Sequence, residues 1–195
     1  MLETIYISIL VIVIIIFMIY KKQNLNLVQI NNVNGLKFSV YKDNSIKDKQ
    51  QLLTTVINNM LVLKDHLVNN KDKLPEEYKE YIEQLNDNFS PEKTTIYETE
   101  PESNLTSYSV NKGQELSICL KSKKTKQLHD VNLLMYVTIH EMAHMGCPEI
   151  GHGDLFKTIF KFFIEEAIKI NVYKYQDYSN NPVEYCGMNL SSSII

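Results

Sequence analysis

Arginine and tryptophan are both missing from this 195-residue chain, so all 20 of its Lys and Arg positions are lysine. Net charge is only −3, and the densest basic cluster is the short run Lys121, Lys123, Lys124 and Lys126. A dedicated nucleic-acid binder concentrates basic residues on one face, whereas so short a run is a solvated loop. Nucleic acid is therefore not an expected partner. Cysteine is scarce as well. Cys119, Cys147 and Cys186 are odd in number and without framework spacing, which excludes a disulfide-dense scaffold and predicts free thiols in a reducing compartment. Asn-x-Ser/Thr triplets occur at Asn88, Asn104 and Asn189. Chance supplies about that many in so Asn-rich a chain, and they are not read as glycosylation sites.

What the sequence has in excess stands at its start. Ile5 to Tyr20 reads IYISILVIVIIIFMIY without a charge. Counted from Leu2, with one acid inside, the run has about the length of a membrane-crossing helix. The basic start and small-residue cleavage site of a secretory signal are lacking, and Lys21 and Lys22 follow the run. The expectation is an uncleaved transmembrane helix over residues 1–22, with Tyr6 and Tyr20 near its ends. The positive-inside rule puts the N-terminus out and the rest of the chain on the cytosolic side.

After a polar linker over 23–35, with room for one strand, a single domain is expected over 36–195. Leu36, Phe38 and Val40 alternate with polar residues as in a half-buried strand. Apolar residues from Ile46 to Leu67 recur at helical spacing, with His66 near the end as a structural histidine. Pro75 opens a second helix that stops near Phe89. The acidic stretch Glu98, Glu100, Glu102 reads as loop. Tyr108 and Val110, the turn Asn111-Lys112-Gly113, then Leu116, Ile118 and Leu120 read as a β-hairpin. Asp130 can cap a helix that continues to Gly146, and a last helix runs from Asp154 to about Asn171. The tail is irregular, with one strand at Val183–Met188. The fold class is α+β, divided into a helical part 36–104, a core 105–171 and a tail 172–195.

Three of the chain's five histidines fall within HEMAHMGCPEIGH, residues 140–152. His140 and His144, four apart on a helix, project from one face and can share an ion. Zinc takes nitrogen or sulfur ligands near tetrahedral geometry, and a hydrolytic site leaves one position open. Glu141 is placed to serve as general base. HExxH arises by chance in about one such chain in a hundred, and its position on a capped helix after a strand raises its weight. The expected third ligand is His152, beyond a turn at Gly146, Pro148 and Gly151. Glu165 or Glu166 on the next helix is the competitor. Asp154 either caps that helix or orients a ligand imidazole, and Cys147 is read as a buried thiol rather than a sulfur ligand.

VNKGQELSICL, a helix ending HEMAHM, then GHGDLF with Phe156 four past His152, resembles the WLM family of zinc metallopeptidases, relatives of the SprT and Spartan proteases. The resemblance covers about Thr106 to Ala167. It implies a minigluzincin-like fold, Zn2+ on His140, His144 and His152, and Glu141 as catalytic base. It further implies that strand Glu115–Leu120 lies along the cleft, so that Glu115, Leu116, Ser117 and Ile118 meet a protein or peptide substrate added as a further strand. Tyr185 is a candidate oxyanion donor. The anchor together with NPVEYCGMNL is similar to WLM-like metallopeptidases of large DNA viruses, which implies a host or virion membrane. The DNA- and partner-binding segments of cellular members are not visible. The function expected is a membrane-anchored, zinc-dependent metallopeptidase. The alternatives are an inactive structural virion protein that keeps the fold and an adaptor that binds an extended peptide without cutting it.

Overall fold

The computed structural model describes residues 2–25 and 27–195, with side chains at 6–19 and 33–195. Helix α1 (Leu2–Leu25) leads into strands β1 (Leu27–Val33) and β2 (Leu36–Tyr41). Helices α2 (Ile46–Asn69) and α3 (Lys79–Asn88) follow, then strands β3 (Thr95–Glu98), β4 (Tyr108–Val110) and β5 (Glu115–Ile118). Helices α4 (Val131–Gly146) and α5 (Asp154–Lys169) precede a C-terminal pair, β6 (Val183–Tyr185) and β7 (Met188–Leu190). The first five strands form one mixed sheet in the order β1-β2-β3-β5-β4, and β6-β7 form a separate two-stranded sheet. The class is α+β.

The periodic stretches fold as their spacing predicts. Leu53, Val56, Ile57, Met60, Leu63 and Leu67 are the buried stripe of α2. The carboxylate of Asp130 accepts the Leu133 N–H at 3.0 Å and caps α4. The β4–β5 hairpin turns through Asn111 and Lys112, both at positive φ, into Gly113 at φ +107°. His66 is structural, with its Nε2 2.8 Å from Glu166 Oε2. The expected linker contains β1, paired antiparallel with β2.

Five expectations need correction. The single strand expected at Val183–Met188 is instead two, β6 and β7, paired antiparallel about a turn at Cys186 and Gly187. The membrane-spanning anchor with a cytosolic domain is overturned: among the described residues no helix is long and apolar enough to cross a membrane. The charge-free stretch from Thr4 to Tyr20 has 17 residues, which make about 25 Å of helix, short of a hydrocarbon core about 30 Å thick. Counting from Leu2 reaches that length only by placing Glu3 within the apolar layer. The described α1 side chains, Tyr6 to Ile19, are exposed.

The free-thiol expectation fails for two cysteines. Cys119 and Cys186 are bridged, with Cα atoms 6.3 Å apart across 67 residues of sequence, a proximity that only the tertiary fold creates. Cys147 is the free, buried thiol.

The acidic stretch is not loop from its first residue. Glu98 ends β3, only 2% exposed, and its Oε2 accepts from Lys49 Nζ at 2.8 Å and from the Tyr41 N–H at 2.7 Å. Lys49 is itself fully buried and also donates to the Tyr41 carbonyl at 2.5 Å. Burial pushes the Glu98 carboxyl up, against the pull of Lys49 and the Tyr41 amide.

Finally, β5 is not an edge strand. It pairs in parallel with β3 on one side and antiparallel with β4 on the other.

The Lys49–Glu98 pair ties α2 to the centre of the sheet. Lys49→Met should lower unfolding stability by about 3–5 kcal/mol in denaturant titrations, because Glu98 is left as an uncompensated buried charge. The double variant Lys49→Met/Glu98→Leu should recover most of that loss. An equal loss in both would show that packing volume, not charge, is responsible.

Candidate metal centre and cleft

Helix α4 is packed on most of its surface, and between Val137 and Gly146 its partly exposed residues are Val137, His140 and His144, one stripe at helical spacing. Gly146 lets the C-terminal turn come this close to its neighbours. A Cβ there would lie 2.8 Å from the Tyr81 carbonyl and 3.3 Å from the Phe163 ring. The chain then reverses through Pro148 and Gly151, the latter at φ +88°, and returns His152 to the stripe.

The three imidazoles converge through their Nε2 atoms: His140 to His144 at 3.2 Å, and His152 to each of them at 3.1 Å. A neutral ring nitrogen carries either one hydrogen or one lone pair. A triangle of three such atoms cannot satisfy all three contacts as hydrogen bonds. Nitrogens about 2.1 Å from a tetrahedral zinc stand about 3.4 Å apart, so spacing and donor chemistry both fit that ion. Burial, then the neighbouring His144 and His152, lower His140 to about 3. Burial, then His152 and Lys112, lower His144 to about 4. Both rings are thus held neutral, the form that ligates a metal.

Glu141 is 5% exposed. Burial raises its carboxyl to about 7, opposed by hydrogen bonds from the hydroxyl and backbone of Ser109 on β4. A carboxyl poised there can take and return a proton near neutral pH. The competing ligands lie elsewhere. Glu166 Oε1 accepts from Lys169 at 2.5 Å while Oε2 faces His66, and Glu165 faces Lys161 at 3.9 Å. Asp154 supplies no capping bond and its side chain is exposed beside Lys157.

The site opens into a cleft of about 740 Å³. The histidines and Glu141 line its floor, Tyr108 and Ser109 of β4 form one side, and Tyr185, Met188 and Leu190 form another. Of the expected substrate contacts, Leu116, Ser117 and Ile118 are buried, and Glu115 accepts from the Tyr97 hydroxyl at 2.8 Å. The strand beside the cleft is β4, since β5 has partners on both edges. Tyr185 does line the cleft, but its hydroxyl bonds to Ser107 Oγ and donates to the Cys119 carbonyl at 3.2 Å.

Two residues matter more than sequence reasoning indicated. Phe156, in the first turn of α5, stacks on His144 at 4.1 Å and meets both His140 and His152 at 4.9 Å, fixing all three rings. Lys112, in the β4–β5 turn, donates to the Cys147 and Glu149 carbonyls at 2.6 Å each and so braces the loop that carries His152. Phe156 was signalled only by the GHGDLF pattern, and Lys112 by nothing beyond its place in a turn.

No family model matches the chain. It is 44% identical over 149 residues, 76% of this chain and 74% of the relative, to the uncharacterized protein R325 of Acanthamoeba polyphaga mimivirus. It is also 39% identical over 69 residues to the uncharacterized protein 136R of Invertebrate iridescent virus 6, covering 34% of this chain and 38% of that protein. Among solved structures, a Wss1 mutant from Saccharomyces cerevisiae aligns with a TM-score of 0.49 at 15% identity, over 68% of this chain and 88% of that one. Wss1 from the same yeast aligns with a TM-score of 0.37 at 19% identity, over 48% and 75%.

The site gives the metal-free protein a pH signature. His140 and His144 titrate lower in the folded chain than the unfolded value near 6.5. Their contribution to stability is therefore complete above about pH 6.5 and is lost as pH falls towards about 4 and then about 3. Glu141 has the opposite sign: its folded value is raised to about 7, so its contribution is complete below about pH 4.3 and is lost as pH rises through 7. Denaturant midpoints of chelator-treated protein across this range should show His144→Asn flattening the acid limb and Glu141→Gln flattening the neutral limb.

Proposed function

This chain belongs to the viral protein family that includes the mimivirus protein R325, and from that premise we propose that it is a zinc-dependent metallopeptidase of the WLM type. The observation that carries the proposal is the triangle of imidazole nitrogens at 3.1–3.2 Å beside a buried carboxyl. His140, His144 and His152 would hold the ion. Zinc, when bound, polarises a peptide carbonyl and makes water a better nucleophile.

The remaining work falls to this chain's own residues. Glu141 accepts the proton of the attacking water and hands it to the departing amine; its value near 7 suits both transfers. Strand β4 ends the sheet, and an extended peptide can lie along it by main-chain hydrogen bonds. Phe156 and Lys112 keep the ligand rings and their loop in register. On this proposal residues 36–195 form one metallopeptidase domain, whose core 105–171 holds the site and whose tail 172–195 walls the cleft. The substrate is a protein or peptide in extended form.

The test is zinc content and peptide hydrolysis of the full chain and three variants. One zinc per chain is expected, lost in His152→Ala and retained in Glu165→Ala and Glu141→Gln. Glu141→Gln should lower hydrolysis by about 10²–10⁴-fold while leaving zinc in place. A parent protein that takes up no zinc from metal-replete buffer would sink the proposal and favour an adaptor that binds peptides without cleaving them.

A further inference from the structure

Among the described residues a second tight group of ligand-type side chains exists: Cys119, His129 and Cys186, all buried, with donor atoms within 4.8 Å of one another. Both sulfurs of the bridge lie against the Lys121 carbonyl, at 3.4 and 3.5 Å, and they differ in what else they meet. Cys119 lines a second cavity, of about 180 Å³, bordered by Lys121, Lys123 and Lys126 and by the carboxylates of Asp43, Glu98 and Glu102. Cys186 is absent from that lining and lies 3.7 Å from His129 Nε2.

The position of Cys186 gives the bridge a mechanical role. Cys186 and Gly187, at φ +49° and +89°, form the two-residue turn between β6 and β7. Among the described residues that hairpin pairs with no strand of the main sheet. The bridge is thus a covalent tie from the hairpin tip to the residue that follows β5. The neighbouring Tyr185 bonds back to Ser107 and to the Cys119 carbonyl, and Tyr185, Met188 and Leu190 line the histidine cleft.

We propose that Cys119–Cys186 is a thiol–disulfide exchange site, opened by a low-molecular-weight thiol, that sets whether the β6–β7 hairpin is tied against the cleft. The incoming thiolate enters by the cavity and attacks Cys119 Sγ. The Cys119–Cys186 bond breaks, a mixed disulfide forms on Cys119, and Cys186 leaves as a thiolate that is protonated from solvent. A second thiol attacks the mixed disulfide. Two small thiols are thereby oxidised to their disulfide, and two electrons and two protons convert the bridge to a pair of cysteine thiols. The exchange stands on the cysteine pair and its cavity; its effect on the cleft rests on the peptidase proposal above.

The experiment uses the full chain purified without reductant. Peptide mapping should find Cys119 joined to Cys186 and Cys147 free. After brief incubation with reduced glutathione and alkylation, glutathione should sit on Cys119 in preference to Cys186 by about ten-fold or more. Opening the bridge fully with a phosphine should accelerate amide hydrogen exchange over residues 183–190 and leave α2 unchanged. Both readouts are independent of zinc and of hydrolysis, so failure of the peptidase proposal leaves them intact. Glutathione on Cys186 would overturn the assigned direction of attack, and unchanged exchange over 183–190 would overturn the tie. Unlinked thiols in the purified protein, or uptake of a second zinc ion by the reduced protein at these three residues, would overturn the exchange site altogether.

Discussion

A helix packed on most sides by other elements has little surface left for chemistry, and α4 is such a helix. It lies against α2, α3 and α5, and Met135, Ile139, Met142, Ala143 and Met145 belong to the common core. The stripe that remains carries His140 and His144. Core packing therefore does two jobs at once: it fixes the rotation of α4 about its own axis, and it strips water from the groups on the stripe. The rotation aims both imidazoles at one point. The desolvation holds them neutral and raises Glu141. The neutrality of the two imidazoles and the raised carboxyl thus follow from the same burial that stabilises the domain.

Much of this was legible in the sequence, for local reasons. The stripe of α2, the cap and stop of α4, and the turn at Asn111-Lys112-Gly113 are each specified within a few residues of themselves. The convergence of His140, His144 and His152 was legible too, because two lie on one helix face and the third follows a short reversal. What stayed hidden depends on partners far away in the chain. Glu98 looks like a solvated acid until Lys49, 49 residues earlier, is seen beside it. Alternation marks β4 and β5 as strands but does not say which has the free edge; pairing with β3 decides that. The bridge between Cys119 and Cys186 spans 67 residues and leaves no mark in spacing. The N-terminal run shows a different failure, in which composition was right and length was overcounted.

The cleft is assembled from parts of unequal attachment. Its floor belongs to α4, which is anchored throughout the core. One side belongs to β4, held by the sheet and by Ser109 reaching to Glu141. The far side is a separate two-stranded ribbon secured by Tyr185, the cystine and a few side chains. The loop bearing His152 is intermediate, braced by Lys112 from the neighbouring turn and by Phe156 from below.

The parallel pairing of β2 with β3 also constrains how the molecule is made. Phe38 aligns with Ile96, so the centre of the sheet joins only after α2 and α3 have closed a long crossover. Loop closure of that span costs entropy before any contact repays it, and contacts of such sequence separation slow folding. β5 docks on β3, and β4 docks on β5. The cleft side on β4 forms locally with β5, yet its place beside the rest of the sheet depends on the β2–β3 pairing between segments distant in sequence.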